Sequence, residues 1–291
     1  MPNSDTDPLK QFCDHPTSFE ENVYAYPVVS RRSGGISLGV NLNPDKVCNF
    51  DCIYCQVDRD VAAKVQKVDE QILLGELKAL LTAYRTGSLF EHLKFCDVPQ
   101  KWRGLNSIAF AGDGEPTSYR RFPEIIQAVI QLKQAVQLPD VPLVLITNAT
   151  LFDREAVKKG LQLIVTDRGE VWAKLDAGTQ GYYQQVDRTV ISLDKVLQNI
   201  TEIAQQTPLI IQSLFMNING KPPASSEVDA YCERLNGIVE QGGEIKLVQV
   251  YTVARVPTED CVTPLSNAEV DQIAETVRSQ TGLQVESYYG N

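Results

Sequence analysis

Histidine is scarce in this chain of 291 residues: there are two, His15 and His92, far apart in the sequence. Long apolar runs are missing as well. Runs such as residues 141–146 around Pro142 and residues 209–211 fall far short of the roughly 18 residues that a membrane-spanning helix needs. Positive charge is in deficit, with 27 Lys and Arg against 37 Asp and Glu, a formal net charge of −10. That balance argues against broad, charge-driven binding to DNA or to an anionic membrane surface, although it is compatible with a local basic pocket. No basic N-terminal segment runs into an apolar stretch, and the seven cysteines are an odd number, so a secreted disulfide framework is not the expectation. A reducing, cytoplasmic setting is. No short-period repeat or low-complexity tract breaks the chain.

What is present is apolar content of 43%, enough to bury one substantial core. Residues 1–30 are polar, acidic and rich in Asp, Ser and Pro, and read as an extended arm with little core of its own. Beyond them, short β-branched or apolar runs alternate with amphipathic stretches. The pattern predicts strands over residues 37–42, 107–111, 142–147, 171–175, 209–215 and 245–252. It predicts helices over 70–84, 121–136, a short stretch after Phe152, the surroundings of Tyr183, 193–205, 226–240 and 267–279. Residues 86–102, of mixed polarity, read as an insertion. Asn267 before Glu269 reads as a helix cap, and Gly282 as a helix stop leading into a final strand at Leu283, Gln284 and Val285. The count is six core strands and one appended. Repeated strand–helix units imply parallel strands with right-handed crossovers, either as an open doubly wound sheet or as a full or partial barrel.

Cys48, Cys52 and Cys55 gather three thiols in eight residues, just past the end of the first predicted strand. Such a density in a reducing compartment calls for metal. Structural zinc wants four ligands, and neither a second cysteine pair nor a neighbouring histidine completes that set. Three thiolates can instead hold three irons of a cubane and leave the fourth with open coordination, whereas an electron carrier would usually fill all four. The position also fits, because barrel and open-sheet enzymes place chemistry at the C-terminal ends of their strands.

The spacing Cys-x3-Cys-x2-Cys, with Tyr54 directly before the last cysteine, resembles the signature of the radical S-adenosylmethionine superfamily. That resemblance implies an α/β fold built as a partial (β/α)6 barrel of parallel strands. It also implies one 4Fe–4S cluster on Cys48, Cys52 and Cys55, S-adenosylmethionine chelated to the open iron through its amino and carboxylate groups, and Tyr54 against the adenine. Gly112, Gly114, Glu115 and Pro116, after the second predicted strand, resemble the Gly-Gly-Glu-Pro motif that binds the amino group of S-adenosylmethionine, with Asp113 at the usual first glycine. Here glycines let the backbone approach a ligand, and Glu115 can accept hydrogen bonds from an ammonium.

Polar groups at later strand ends are candidates for the methionyl carboxylate and ribose: Asn148 with Thr147, Lys174 with Asp176, and Gln212 with Ser213. Each has a plain alternative. Lys174 and Asp176 share a strand face and can form a buried ion pair, Asn148 can cap a turn, and Gln212 and Ser213 can be satisfied core polar groups. Tyr251 can pack or contact adenine, and the tyrosine pairs 182–183 and 288–289 read as packing residues. Arg31, Arg32 and Arg255 can anchor an anionic substrate at the barrel mouth or lie solvated at the surface.

Residues 26–32, 37–41, 114–117, 174–178 and 248–255 are closest to one branch, the iron–sulfur oxidoreductases related to the tRNA wyosine-base synthase. The resemblance covers most of residues 24–260. That synthase carries a second cluster on three upstream cysteines, whereas this chain has only Cys13 there, so a single cluster is expected. Cys96, Cys232 and Cys261 are scattered and read as core or surface thiols. The domain reading is an arm over 1–30, the barrel over 31–260 and a C-terminal helix and strand over 261–291. The expected activity is radical chemistry on an unidentified substrate, with a reducing partner such as flavodoxin or ferredoxin and no membrane. A wyosine-like tRNA base-modifying enzyme is the runner-up, and a non-catalytic iron–sulfur electron carrier or redox sensor is the rival of another class.

Overall fold

The computed structural model describes residues 19–255 and 257–290; Cys13, His15 and most of the expected N-terminal arm lie outside the described residues. An eight-stranded sheet organises the chain. Its strands are β1 (Ala25–Ser30), β2 (Gly35–Val40), β3 (Leu105–Phe110), β4 (Leu143–Thr147), β5 (Glu170–Lys174) and β6 (Leu209–Leu214). After a short β7 (Met216–Ile218) come β8 (Ile245–Tyr251), β9 (Val262–Pro264) and β10 (Val285–Tyr288). The order across the sheet is β1-β2-β3-β4-β5-β6-β8-β10, with β7 and β9 paired separately as a small antiparallel flap. All neighbours from β2 to β10 run parallel, and β1 alone runs antiparallel to β2. The sheet curls into a half-barrel.

Among the described residues, seven α-helices join or follow the strands: α1 (Glu70–Thr86), α2 (Phe122–Ala135), α3 (Glu155–Thr166), α4 (Gln180–Asp187), α5 (Leu193–Ala204), α6 (Ser225–Glu240) and α7 (Asn267–Thr281). They form because the sequence supplies both stripe and stops. In α1, Leu73, Leu77, Leu80 and Leu81 fall on one buried face, Asp69 accepts from the amides of Gln71 and Ile72, and Gly87 at φ 85° ends the helix.

Alternate strand residues face opposite ways. Leu143, Leu145, Val171, Ala173, Leu209 and Ile211 join the core shared with the helices. Their neighbours Ala109, Val144, Trp172 and Ile210 form a separate apolar cluster on the concave face. A third cluster, with Ile53, Tyr54, Val186, Leu214, Met216 and Val262, roofs one end of the barrel. Because both faces of the central strands are covered, β2 and β6 are buried at every position, which is why their sequences lack a clean polar alternation.

Two readings are revised. Ala25–Ser30, expected in the arm, pair with β2 in full register, and Tyr24 and Ala25 are buried, so this end of the segment belongs to the sheet. The α7 cap is Ser266 rather than Asn267: Ser266 Oγ accepts from the Glu269 amide while the Glu269 carboxylate accepts from the Ser266 amide, a reciprocal box that needs a three-residue spacing. The β7–β9 flap has no counterpart in the sequence reading, its strands being three residues each. The region read as an insertion contains two 3-10 turns, Ser88–Glu91 and Gln100–Trp102. The sheet edges also approach one another, since Arg31 Nη1, in the turn between β1 and β2, donates to the carbonyls of Tyr289 (2.8 Å) and Gly290 (3.3 Å) after β10.

Candidate active site

The three cysteines lie in the loop after β2, which other loops at the same end of the barrel hold in place. Asn41 Nδ2 donates to Asp113 Oδ2 at 2.8 Å, and Asn41 Oδ1 accepts from the amides of Asn43 (3.0 Å) and Asp113 (3.2 Å). At the C-terminal end of α4, the carbonyls of Asp187 and Val186 accept from the amides of Asp51 (3.0 Å) and Ile53 (2.9 Å). Asn49 Nδ2 donates to Thr150 Oγ1 at 2.6 Å, and Asn148 Nδ2 donates to Asn49 Oδ1 at 2.7 Å. The Cys55 carbonyl accepts from the amide and hydroxyl of Thr258 at 3.3 and 3.2 Å. The loop is thus fixed from four sides.

Gly112 and Gly114 serve that fixing. A Cβ on Gly114 would stand 2.2 Å from the Val47 carbonyl oxygen, and one on Gly112 would stand 2.4 Å from Asn41 Oδ1. Their missing side chains let the loop after β3 close on the cysteine loop, so the close approach is between two loops as well as toward the cavity both border.

Glu115 is 3% exposed and heavily engaged. Its Oε1 accepts from the Thr117 amide (3.1 Å) and from the hydroxyls of Thr117 (2.5 Å) and Thr147 (2.6 Å), while Oε2 accepts from the Asn148 amide (2.8 Å). It therefore splices the loop after β3 to the end of β4, with acceptor capacity left on Oε2 for one further donor.

These loops enclose a cavity of about 180 Å³. Of the residues singled out from sequence, Cys48, Cys52, Cys55, Tyr54, Gly112, Gly114, Glu115, Asn148 and Lys174 all line it. Pro116 does not; it is buried at the start of a short 3-10 turn capped by Glu115. Asp176 lies behind Lys174, where its Oδ1 accepts from the Leu214 amide (2.8 Å) and its Oδ2 from the Tyr54 hydroxyl. Gln212 is fully buried and donates to Gln249 Oε1 at 3.2 Å, and Ser213 shares a hydrogen bond with the Tyr231 hydroxyl at 2.6 Å. Lys174 bonds the Tyr54 hydroxyl, stands 4.6 Å from the centre of that ring and lies 3.5 Å from Asp176. The ion pair weighed from sequence is formed, with Tyr54 as its third member.

The electrostatics are those of a nearly dry site. Burial pushes the Cys48 and Cys52 thiols up, Cys52 strongly. Cys52 Sγ donates to Asp187 Oδ1 at 3.2 Å, and burial, with Asp176 nearby, lifts the Asp187 carboxyl to about 7. Burial opposes the charge on Lys174, yet Cys52, Asp176, Tyr251 and Asp187 outweigh it and hold the ammonium well above its ordinary range. Thiolates at Cys48 and Cys52 call for a compensating cation.

Among the described residues no three Cys, His, Asp or Glu side chains converge on a point that would hold one metal ion. The three thiols share a cavity wall without sharing a centre, the arrangement suited to a cubane in which each thiolate takes a different iron. The donor set, three soft sulfurs and no imidazole, fits an iron–sulfur group. Cys96 is exposed, Cys232 is buried in α6 and Cys261 directly precedes β9; none of them lines the cavity.

Residues 42–167 match the Radical SAM superfamily, a stretch that holds the three cysteines, the Gly114-Glu115-Pro116 run and Asn148. That stretch is similar to a radical SAM domain. The chain's fold is shared with solved structures: SuiB of Streptococcus suis bound to S-adenosylmethionine superposes with a TM-score of 0.56 at 12% identity, over 90% of this chain and 52% of that one. TYW1 with a lysine–pyruvate adduct superposes with a TM-score of 0.52 at 15% identity, over 85% and 74%. Among curated sequences, a protein of Brachyspira hyodysenteriae named GTPase Obg is 25% identical over 89% of this chain and 34% of its own length. A UPF0026 protein of Helicobacter pylori is 26% identical over 72% of this chain and 62% of its own. The chain thus spans less than two thirds of either relative.

Several supporting residues escaped the sequence reading. Asn49, Thr150 and Asp187 carry no motif; only the fold brings the turns after β4 and α4 against the cysteine loop. Asn41, at the end of a predicted strand, and Asn148-Ala149-Thr150, directly after another, were the available signals.

Proposed function

We propose that Cys48, Cys52 and Cys55 hold a single 4Fe–4S cluster with one iron left open for S-adenosylmethionine, and that the protein uses it to oxidise or rearrange a small organic substrate. The observation that carries this reading is the cavity itself, lined by the three cysteines from the loop after β2, by Glu115 and Asn148 from the loops after β3 and β4, and by Tyr54 and Lys174. When bound, the cluster supplies an electron that breaks the C5′–S bond of S-adenosylmethionine, giving methionine and a 5′-deoxyadenosyl radical that takes a hydrogen atom from the substrate.

The chain's own residues have three tasks. Glu115 Oε2 keeps capacity for the methionyl ammonium. Lys174 fixes the Tyr54 ring, which lies ready for a flat base, and offers positive charge to a carboxylate. The apolar roof over Ile53, Leu214 and Met216 excludes water from a reactive intermediate. An external reductant of the flavodoxin or ferredoxin kind would deliver the electron.

A second reading, tRNA base modification, has the likeness to TYW1 in its favour and the net charge of −10 against it. Salt-sensitive tRNA binding would support it, and no binding at low salt would remove it. The GTPase name of one relative lends no reading here, since this sequence has no Gly-x4-Gly-Lys-Ser/Thr run.

The test is anaerobic cluster reconstitution, reduction, addition of S-adenosylmethionine and chromatography for 5′-deoxyadenosine. The intact protein is expected to form it, and Cys52→Ala to form none while keeping its secondary structure. A fully loaded, reduced protein that makes none, even with candidate substrates present, would overturn the proposal.

A further inference from the structure

A second and larger cavity, about 660 Å³, opens on the concave face of the half-barrel. Val144 and Trp172 line it, while Ile146 and Lys174, two residues further along the same strands, line the cysteine cavity. Residues two apart on a strand share a face and are separated by about 7 Å, so the two cavities are stacked along one inner wall.

Arg32 enters this lower cavity from the turn between β1 and β2. Its guanidinium carbon lies 5.0 Å from the centre of the Tyr251 ring and 5.8 Å from that of Trp172. The carboxylates that border the cavity are engaged elsewhere. Glu170 pairs with Lys246 Nζ at 2.6 Å and accepts from Trp172 Nε1 at 3.0 Å, while Glu286 accepts from the Tyr288 hydroxyl at 2.5 Å. Lys246 is thereby neutralised, whereas Arg32 pairs with no carboxylate among the described residues. A half-buried guanidinium seated on two aromatic rings, with its fork of N–H donors unspent, is matched by an oxyanion more than by any other partner. Arg168, exposed at the rim, adds a second positive charge at the entrance.

We propose that the lower cavity binds a small molecule bearing a carboxylate or phosphate, its oxyanion held by Arg32 between Trp172 and Tyr251 and its other end directed toward the cysteine cavity. That this molecule is the hydrogen donor rests on the radical reading above; its binding does not. The stacking explains how one ligand can be anchored in the lower cavity and presented to chemistry in the upper one.

Trp102 and Trp172 are the two tryptophans of the chain, so Trp102→Phe leaves Trp172 as the sole indole reporter. The full-length, cluster-reconstituted Trp102→Phe protein, with wild-type circular dichroism, is titrated with malonate and separately with inorganic phosphate while Trp172 emission is followed. A saturable change with at least one anion is expected, and the stronger of the two identifies the oxyanion. Adding Arg32→Gln should weaken that binding tenfold or more. Arg32→Lys, which keeps the charge and loses the fork, should fall between, and Arg168→Gln at the rim should weaken it less than Arg32→Gln. No saturable response to either anion, or equal affinity in a folded Arg32→Gln protein, overturns the proposal. The readout requires no turnover, so absence of 5′-deoxyadenosine would leave this result standing, and absence of anion binding would leave the cysteine site untouched.

Discussion

Glu115 shows how one residue can serve a ligand site and the scaffold at once. Four donors from Thr117, Thr147 and Asn148 converge on a carboxylate that is almost fully buried. Removing it leaves those donors without a partner in a site that water barely reaches. Glu115→Ala should therefore cost about 3 kcal/mol of unfolding free energy in urea denaturation, the scale of a lost buried charge with its hydrogen bonds. A loss below about 0.5 kcal/mol, the level of an ordinary surface substitution, would mean that the splice between β3 and β4 is not a structural one. Residue identity was legible where spacing carries chemistry: three thiols in eight residues announce a soft-metal site, and Tyr54 follows from its place before Cys55. It was not legible for Asn49, Thr150 or Asp187. Each is an ordinary polar residue whose partner lies about a hundred or more positions away, and only the barrel topology pairs them with the cysteine loop.

Among elements, the site depends on two loops meeting face to face. The loop after β3 packs on the loop after β2 so closely that a single methyl at position 114 would overlap the Val47 carbonyl. Backbone cannot swing aside as a flexible side chain can, so Gly114→Ala should push the cysteine loop outward. The expected outcome is a protein with wild-type circular dichroism and a clearly reduced iron content per chain after reconstitution, measured by colorimetric iron assay. Wild-type iron loading in this variant would show that the loop contact is dispensable. Strand and helix positions were readable because short β-branched or apolar runs alternate with amphipathic stretches of helical period along the chain. The failures have specific causes. Ser266 and Asn267 are both good caps, and only the three-residue reach from Ser266 to Glu269 decides between them. β1 was hidden at the end of a polar segment because an edge strand is only partly covered: Ala25 and Pro27 are buried, whereas Tyr26 and Val29 are exposed.

For the whole molecule, the half-barrel separates the work by height. The helices and the outer face of the sheet make the core, the concave face carries two stacked cavities, and the loops at the C-terminal ends of the strands hold the cysteines. Sequence alternation pointed to parallel strands but could not choose between an open sheet and a barrel. Curvature is a property of the whole sheet, here marked by Arg31 reaching from the first hairpin to the carbonyls of Tyr289 and Gly290. Residues on neighbouring strand ends divide in role: Lys174 meets the upper cavity, whereas Gln212 is buried against Gln249, which lines the lower one. The central claim is that Cys48, Cys52 and Cys55 hold a cluster whose remaining iron is open to S-adenosylmethionine. Low-temperature electron paramagnetic resonance of the anaerobically reconstituted, reduced protein, recorded with and without S-adenosylmethionine, tests it most directly. The account predicts a reduced-cluster signal that shifts on adding the cofactor and disappears in the Cys52→Ala protein. A cluster signal unchanged by S-adenosylmethionine would contradict it.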